Sequence, residues 1–144
     1  MKIVIDADAC PVTDIALNEG VRRGFEGVIV CDNAHLIERE NARTIVVDKG
    51  ADSADCRIAN IITKDDIVVT GDYGLAALCL GKGARALSHN GLIYTDKNIE
   101  NLLYSRYISK KARMSGKRTR GPAPRTAQND RDFLEALISL LEGA

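Results

Sequence analysis

The segment KIVIDADACP at residues 2–11 decides the fold of this chain. A short apolar run that ends in an acidic residue is typical of a strand buried on both faces. Pro11 then opens an amphipathic helix that extends to about Arg23. Further strands are predicted at Val28–Cys31, Thr44–Val47, Asp66–Thr70 and Ala84–Leu87, and further helices at Ser53–Thr63 and Leu75–Leu80. Because strands and helices alternate, we expect an α/β fold with a mainly parallel sheet and helices on both faces.

The remainder of the chain continues with helices. Ile93-Tyr94 is predicted as a brief edge strand, and Thr95 or Asp96 caps a helix from Lys97 to about Ser109. The stretch 116–125 contains Pro122 and Pro124 and is predicted as a loop or arm. A last amphipathic helix at about 129–141 presents Phe133, Leu137 and Leu141 to the body or to another subunit, so a homo-oligomer stays open. We expect one α/β domain at 1–110, with the basic arm and last helix of 111–144 packing on it.

Length and composition restrict the class of protein. A chain of 144 residues that is 45% hydrophobic suits a single domain. None of its apolar stretches approaches the roughly 20 residues that cross a bilayer, and Asp6 interrupts the N-terminal run too early for a secretory signal, so a cytoplasmic protein without membrane contacts is expected. The four cysteines form no CxxC pair and are expected to be buried reduced thiols, although the role of Cys10 at a helix start stays open.

The charges are segregated along the chain. Eight basic residues and no acid lie between residues 106 and 125: Arg106, Lys110, Lys111, Arg113, Lys117, Arg118, Arg120 and Arg125. The chain has 20 basic and 20 acidic residues, so the rest carries 12 against 20, a net charge of −8. A basic segment on an acidic body indicates a polyanion partner, with a solvated linker as the alternative.

Two aspartates follow the first strand. Asp6 and Asp8 lie two residues apart, so both would point to one side if the strand continued. Ligand sites of parallel sheets lie outside the carboxyl ends of the strands. Two crowded carboxylates repel each other, and a hard cation such as Mg²⁺ or Mn²⁺ removes that repulsion. A helix-capping turn is the alternative interpretation.

Three more aspartates are predicted near the same edge. Asp72 in Thr70-Gly71-Asp72 closes the fourth strand, while Asp52 and Asp55 open the intervening helix. Each could be an ordinary N-cap or first-turn acid. Five carboxylates directed to one edge nevertheless indicate a shared metal site made of Asp6, Asp8, Asp52, Asp55 and Asp72.

Other catalytic patterns are missing from the sequence. His35 and His89 lie in polar segments without partners at metal-ligand spacing, so surface positions are expected. The sequence contains no nucleophile elbow, P-loop or GxGxxG fingerprint, which argues against ATP and dinucleotide cofactors.

The motifs resemble those of a known family. Residues 4–11 (VIDADACP), 50–55 (GADSAD) and 69–72 (VTGD) are similar to the YaiI/YqxD family of uncharacterised bacterial proteins, and the resemblance extends over almost the whole chain. That family more remotely resembles PIN-like nucleases, in which aspartates at strand ends hold Mg²⁺ or Mn²⁺ and hydrolyse single-stranded RNA. The resemblance therefore implies a PIN-like fold and a metal-dependent ribonuclease. It implies catalytic roles for Asp6, Asp52, Asp55 and Asp72, whereas Asp8 belongs to the closer family.

Three functional hypotheses remain. In the first, the aspartates hold the cation, the basic segment guides single-stranded RNA across the acidic edge, and Tyr73 is the residue for base stacking. In the second, a non-catalytic module binds RNA or protein and keeps a structural metal. In the third, the DxD motif serves a phosphatase of the haloacid dehalogenase type, with Asp6 as nucleophile.

The basic segment leads to a test by salt dependence. Replacing Lys117, Arg118 and Arg120 with Ala should weaken nucleic-acid binding regardless of base sequence, because such side chains act through phosphate charge. The slope of log K against log salt should flatten by about 0.7 to 0.9 for each phosphate that the variant no longer neutralises. Binding titrations at several salt concentrations measure the slope, and an unchanged slope would remove this segment from the interface.

Overall fold

The computed structural model describes residues 1–50, 53–114 and 124–143. Its strands are β1 (Lys2–Asp6), β2 (Glu26–Asp32), β3 (Arg43–Val47), β4 (Ile67–Val69) and β5 (Arg85–Leu87). Its helices are α1 (Thr13–Arg22), α2 (Ser53–Ile61), α3 (Tyr73–Gly81), α4 (Asp96–Met114) and α5 (Ala127–Glu142). The predicted α/β fold is confirmed.

The five strands pair in parallel in the order β3-β2-β1-β4-β5. From β1 the chain first builds outward through β2 to β3, and it then returns to the other side of β1 for β4 and β5. The strand order therefore reverses between β1 and β4. In open parallel sheets this reversal leaves a crevice at the carboxyl ends of the two strands, where ligands bind.

The sheet separates two apolar layers. Ile3 and Ile5 of β1 pack with α1 and α5, whereas Val4 packs on the opposite face with α2 and α3. Because strand side chains alternate, Asp6 lies on the same face as Val4. The first carboxylate of the site is thus directed toward the layer that contains α2 and α3.

Several element boundaries differ from the predictions. α1 begins at Thr13 instead of Pro11, because residues 8–12 form turns and Ala9 has a φ of 52°. α4 continues to Met114, since Lys110 and Lys111 are good helix formers. Residues 93–94 contribute a single antiparallel bridge, between Ile93 and Leu87, in place of a strand.

The last helix docks on the body of the same chain. Phe133, Leu137 and Leu141 are buried in the layer that also contains α1. The turn before α4 is joined closely to α5, since a Cβ on Gly91 would clash with the carbonyl oxygen of Asp132. Among the described residues, no helix is both long enough and apolar enough to span a membrane.

The cysteines follow the prediction only in part. Cys31 and Cys79 are buried and Cys10 is partly buried, and burial raises the pKa of Cys79 to about 12 and that of Cys10 above its ordinary value. Cys56 is exposed, so its predicted burial is wrong. The physical reason is helix periodicity: Ile58 is the buried residue of α2, and a position two residues away points to the opposite side.

The amino edge of the sheet is held by a buried ion pair. Asp66 is fully buried. Its carboxylate accepts hydrogen bonds from the backbone N–H groups of Lys2 and Thr63, each at 2.8 Å. It also forms an ion pair with Nζ of Lys2 at 2.9 Å. Burial acts to raise the pKa of Asp66, but these partners outweigh it and hold the pKa below its ordinary value. The ionised carboxylate therefore stabilises the fold above the unfolded pKa, and this stability is lost as the pH falls through the lowered value.

Replacing Asp66 with Ala should lower the free energy of unfolding by about 2–4 kcal/mol at neutral pH, because it strands buried donors and the Lys2 ammonium. The difference from the wild type should shrink once the pH falls below about 4. Urea unfolding across this range measures both effects, and Glu40→Ala, which removes an exposed carboxylate, is the control. Equal stability of the Asp66 and Glu40 variants at neutral pH would show that the ion pair does not stabilise this edge.

Candidate functional site

A cavity of about 750 Å³ opens at the carboxyl edge of the sheet, over the crevice between β1 and β4. We call it the acidic cavity. Within the described part of the chain, six aspartates line it: Asp6, Asp8, Asp32, Asp48, Asp55 and Asp72. His89, Tyr73 and Arg106 complete its polar rim.

A buried threonine joins the two central carboxylates. The hydroxyl of Thr70 donates a hydrogen bond to Oδ2 of Asp6 at 2.8 Å and accepts one from the backbone N–H of Asp72 at 3.0 Å. The carbonyl oxygen of Thr70 accepts a third hydrogen bond, from the hydroxyl of Tyr94 at 3.0 Å. Thr70 thus fixes the positions of Asp6 and Asp72 relative to each other. Its role was missed from the sequence, although it is the first residue of the Thr-Gly-Asp element.

Asp72 has two functions in the structure. Its Oδ1 accepts hydrogen bonds from the backbone N–H groups of Gly74 at 2.8 Å and Leu75 at 3.1 Å, which makes Asp72 the N-cap of α3. The capping interpretation therefore holds, yet the same side chain lines the acidic cavity. Oδ2 of Asp72 takes no part in these hydrogen bonds.

Asp6 has a raised pKa. Burial raises its pKa above the ordinary value, the hydrogen bond from Thr70 lowers it, and the charges of Asp72 and Asp8 raise it again. The charges of Asp72 and Asp8 thus both act on Asp6, after the larger effects of burial and of Thr70. The folded protein therefore resists ionisation of Asp6.

Asp8 reaches the cavity by a route other than the predicted one. β1 ends at Asp6, and the chain then turns, with the backbone N–H of Cys10 bonded to the carbonyl oxygen of Ala7. Asp8 is exposed on this turn, so the condition that the strand continue through it is not met. Its side chain still lines the acidic cavity.

Of the two aspartates predicted at the start of α2, the structure describes Asp55 but not Asp52. Asp55 is partly buried in the first turn of α2 and lines the acidic cavity, as well as a second groove shared with Asp72 and Arg106. Its charge acts with that of Asp6 to raise the pKa of Cys79, after the larger effect of burial. Asp52 lies outside the described residues, so its place in the site stays a prediction.

Two acids of the cavity were missed although the sequence carries a signal for them. Asp32 ends β2, and Asp48 follows β3 directly. The rule that selected Asp6 and Asp72, an aspartate after an apolar strand, also selects these residues. Asp32 has a local role, because its Oδ1 accepts hydrogen bonds from the backbone N–H groups of Ala34 and His35.

His89 does not lie at the surface as expected. It is half-buried and lines the acidic cavity, and its ring lies 3.5 Å from the place of a Cβ on Gly71. Burial lowers its pKa, and the charge of Arg125 lowers it further. The backbone of His89 is held by Arg125, which donates to its carbonyl oxygen at 2.8 Å. Prediction failed here because the turn at 88–91 is folded against the sheet edge. His35 is exposed, as expected.

The predicted basic residues fall into three groups. Arg106 lies at the cavity rim, with Nη1 3.6 Å from Oδ1 of Asp72, and its side chain is 59% exposed. Lys110 and Lys111 are exposed further along α4, which also contains Arg113. Lys117, Arg118 and Arg120 lie outside the described residues.

Arg125 is engaged within the protein. Its guanidinium pairs with Asp130 at 2.8 Å and donates to Oδ1 of Asn90 at 2.7 Å. These bonds join the start of α5 to the turn at 88–91. Nucleic-acid binding by Arg125 stays a prediction, and it would compete with these partners.

Tyr73 lies at the first position of α3 and lines the acidic cavity. Its ring meets that of Tyr94 edge to face, with the centroids 6.0 Å apart. The ring is therefore partly occupied by an aromatic contact inside the protein. Base stacking on Tyr73 stays a prediction.

The chemistry of the donors fits a hard divalent cation that keeps part of its water shell. Across residues 1–50, 53–114 and 124–143, no three His, Cys, Asp or Glu side chains are grouped closely enough to hold a metal ion. Mg²⁺ commonly binds through only one or two carboxylates, with waters and substrate phosphates as the other ligands. Asp6 and Asp72, each with one oxygen outside the hydrogen bonds described above, provide such a pair.

Fold and site together define an α/β protein with an acidic cavity at the strand-order reversal of a parallel sheet. The model of the YaiI/YqxD family of uncharacterised bacterial proteins matches residues 4–143. A UPF0178 protein of Exiguobacterium sibiricum is 45% identical over 98% of this chain and 96% of its own length. A UPF0178 protein of Ruminiclostridium cellulolyticum is 42% identical over 99% and 93%. The chain belongs to the YaiI/YqxD family, as the motifs predicted.

Among solved structures, a neighbour is similar over the full length of both chains. It is the crystal structure of Rae1 (YacP) from Bacillus subtilis, with 18% sequence identity and a TM-score of 0.47. A likeness at this level carries no information about the activity of the present chain.

Replacing Thr70 with Val should raise the pKa of Asp6 further, because the variant lacks the hydrogen bond that favours the ionised form. The buried N–H of Asp72 is also left without its acceptor, so the free energy of unfolding should fall by about 1–3 kcal/mol. Carboxyl-carbon NMR titration measures the pKa, and Thr70→Ser, which keeps the hydroxyl, is the matched control. An unchanged Asp6 pKa in the Val variant would contradict the bridging role of Thr70.

Proposed function

We propose that the acidic cavity is the active site of a divalent-metal-dependent nuclease that hydrolyses phosphodiester bonds in single-stranded RNA. The observation that carries this proposal is that Asp6, Asp8 and Asp72 line one cavity at the reversal of strand order, where the charges of Asp72 and Asp8 raise the pKa of Asp6 and Arg106 lies beside Asp72. The cost of keeping several carboxylates together is what a bound cation would offset. An arginine beside such a site suits a phosphate ligand, because its planar guanidinium can donate two parallel hydrogen bonds to phosphate oxygens.

Each residue of the site has a proposed task. Asp6 and Asp72 would hold Mg²⁺ or Mn²⁺. Asp8 and Asp55, which line the cavity, and Asp52 are further candidate ligands. When bound, the cation would activate a water molecule and stabilise the charge that develops on the phosphate. Arg106 would position the phosphate, and the other basic residues of α4 would hold the adjoining backbone.

A non-catalytic RNA-binding module that keeps a structural metal is the second candidate, and one observation favours it. Oδ1 of Asp72 is already occupied by the N–H groups of α3 and lies beside Arg106. This candidate predicts RNA binding without turnover at any divalent metal.

The phosphatase hypothesis has less support. The lysine and acidic pair that its chemistry needs would be Lys64 and Asp65-Asp66, which precede β4 at the amino edge of the sheet. Asp66 is there engaged with Lys2. These groups lie at the end of the sheet opposite to Asp6.

The metal site can be tested by the sign of a stability change. The raised pKa of Asp6 means that ionising it costs stability, and this cost appears as the pH rises from the unfolded pKa through the folded one. In EDTA at neutral pH, Asp6→Asn should therefore melt at a higher temperature than the wild type, and Asp72→Asn should gain less, because Asn keeps the cap but gives up the ion pair with Arg106. Mn²⁺ should stabilise the wild type by about 2.7 kcal/mol at a hundredfold excess over Kd, and both variants much less.

Melting temperatures with EDTA and with Mn²⁺ measure these effects, and hydrolysis of a labelled single-stranded RNA measures activity in parallel. Asp96→Asn, the same change at an exposed position, is the control. Metal-dependent cleavage that is abolished in Asp6→Asn and Asp72→Asn but kept in Asp96→Asn is the expected result. Binding without cleavage at any metal supports the second candidate, and a wild type with no Mn²⁺ response would overturn the metal site.

A further inference from the structure

The second half of α4 projects a face of large side chains into solvent. Near its start the helix buries Ile99 against the layer that contains α3, but residues 104–111 are all exposed. The exposed fraction is 65% for Tyr104, 58% for Tyr107, 45% for Ile108 and 80% for Met114. A patch of exposed apolar side chains on one helix often marks a site where another molecule binds.

These side chains lie on one stripe of the helix. Tyr104, Tyr107 and Ile108 are spaced by three and four residues, so they are neighbours on the same face. Lys111 falls on the same stripe, seven residues after Tyr104 and four after Tyr107. The stripe is therefore aromatic and apolar with a cation inside it.

The charge of the segment decides between two kinds of partner. Residues 101–114 contain Arg106, Lys110, Lys111 and Arg113 and no acidic residue. The core of a protein interface is depleted in lysine and other charged residues. Surfaces for single-stranded nucleic acid, by contrast, combine cations for the phosphates with aromatic rings on which bases stack.

The stripe lies next to the face of α4 that meets the acidic cavity. Arg106, beside Asp72, and Lys110, four residues later, share that face. Tyr107 and Lys111 are the next residues after them and lie about 100° further around the helix, while Tyr104 lies on the far side of the stripe. A strand whose phosphates meet Arg106 and Lys110 would therefore bring its adjoining bases to the Tyr107 edge of the stripe.

We propose that this face of α4 is the track on which a single-stranded nucleic acid is held as it enters the acidic cavity. Tyr104 and Tyr107 stack bases, and Arg106, Lys110 and Lys111 contact phosphates. The inference rests on the proposed function for the class of ligand, and it requires binding but not hydrolysis.

The test compares two double variants of the full chain. Tyr104→Leu with Tyr107→Leu keeps an apolar surface but removes both rings, whereas Tyr104→Phe with Tyr107→Phe keeps the rings. Fluorescence anisotropy with a short labelled RNA strand is measured in EDTA, so that cleavage does not interfere. The affinity of the Leu pair should fall by about tenfold or more, and that of the Phe pair should stay within about twofold of the wild type.

A strand of the same length without bases separates stacking from charge. The wild type and the Leu pair should bind it equally, because only phosphate contacts remain. Unchanged affinity of the Leu pair for RNA would overturn the proposal, and so would an equal loss of affinity for the strand with bases and the strand without.

Sedimentation velocity tests whether a second copy of the chain covers this face instead. A wild-type dimer that Ile108→Ser dissociates, with RNA affinity unchanged in the Leu pair, would overturn the proposal in favour of a subunit contact. A wild type that binds no single strand would remove both this inference and the proposed substrate. Binding that is intact in Asp6→Asn, with cleavage abolished, would leave the inference standing apart from the chemistry.

Discussion

The pairing of β1 with β4 is the constraint on which the site depends. The register places Ile5 opposite Val69, so the next residues along the two strands, Asp6 and Thr70, emerge side by side at the carboxyl edge. Thr70 can then donate to Asp6 while it accepts from the N–H of Asp72. A strand between β1 and β4 would separate these groups by about 4.8 Å per added strand and break the bridge. The acidic cavity is therefore a consequence of strand order, because two residues 64 apart in sequence become neighbours only through this pairing.

The site and the fold share Asp72, and this limits how the site could change. The carboxylate that faces the cavity also satisfies two N–H groups at the start of α3, and α3 in turn buries Leu75 and Ala76 against the sheet. Truncating Asp72 would remove the cap and the acid together, whereas an amide keeps the cap and removes only the charge. Acidity at this position is thus separable from folding, which is why Asp→Asn substitutions report on the site more cleanly than Ala substitutions would.

Much of the fold was accessible from the sequence, because the strands are apolar runs with acids or glycines at their ends. Asp6 and Asp72 could be placed on the cavity for the same reason, and Asp55 because it opens a helix at the same edge. The order of the strands was not accessible, so the hydrogen bond from Thr70 to Asp6 was missed. Asp8 lines the cavity as predicted, but from a turn, because β1 ends at Asp6. His89 was missed since nothing local shows that its turn folds back on Gly71.

The arrangement of charge also connects the two proposals. The body outside residues 106–125 carries a net charge of −8, and six aspartates among the described residues line the cavity, so a phosphate approaching the cavity alone would be repelled. Arg106 and the lysines of α4 can attract the strand to the rim, but their charge does not remove the repulsion that Asp72 and Asp8 exert on Asp6. Under the proposed function, a divalent cation among the carboxylates would lower that barrier. Cation and RNA would then each strengthen the binding of the other by the same factor, because coupling between two ligands is reciprocal. Removing Tyr104 and Tyr107 should weaken RNA binding with and without the cation alike, since stacking on α4 does not involve the carboxylates. The carboxylates of the cavity would therefore produce the coupling between cation and RNA, and the side chains of α4 would produce the RNA affinity that remains without the cation.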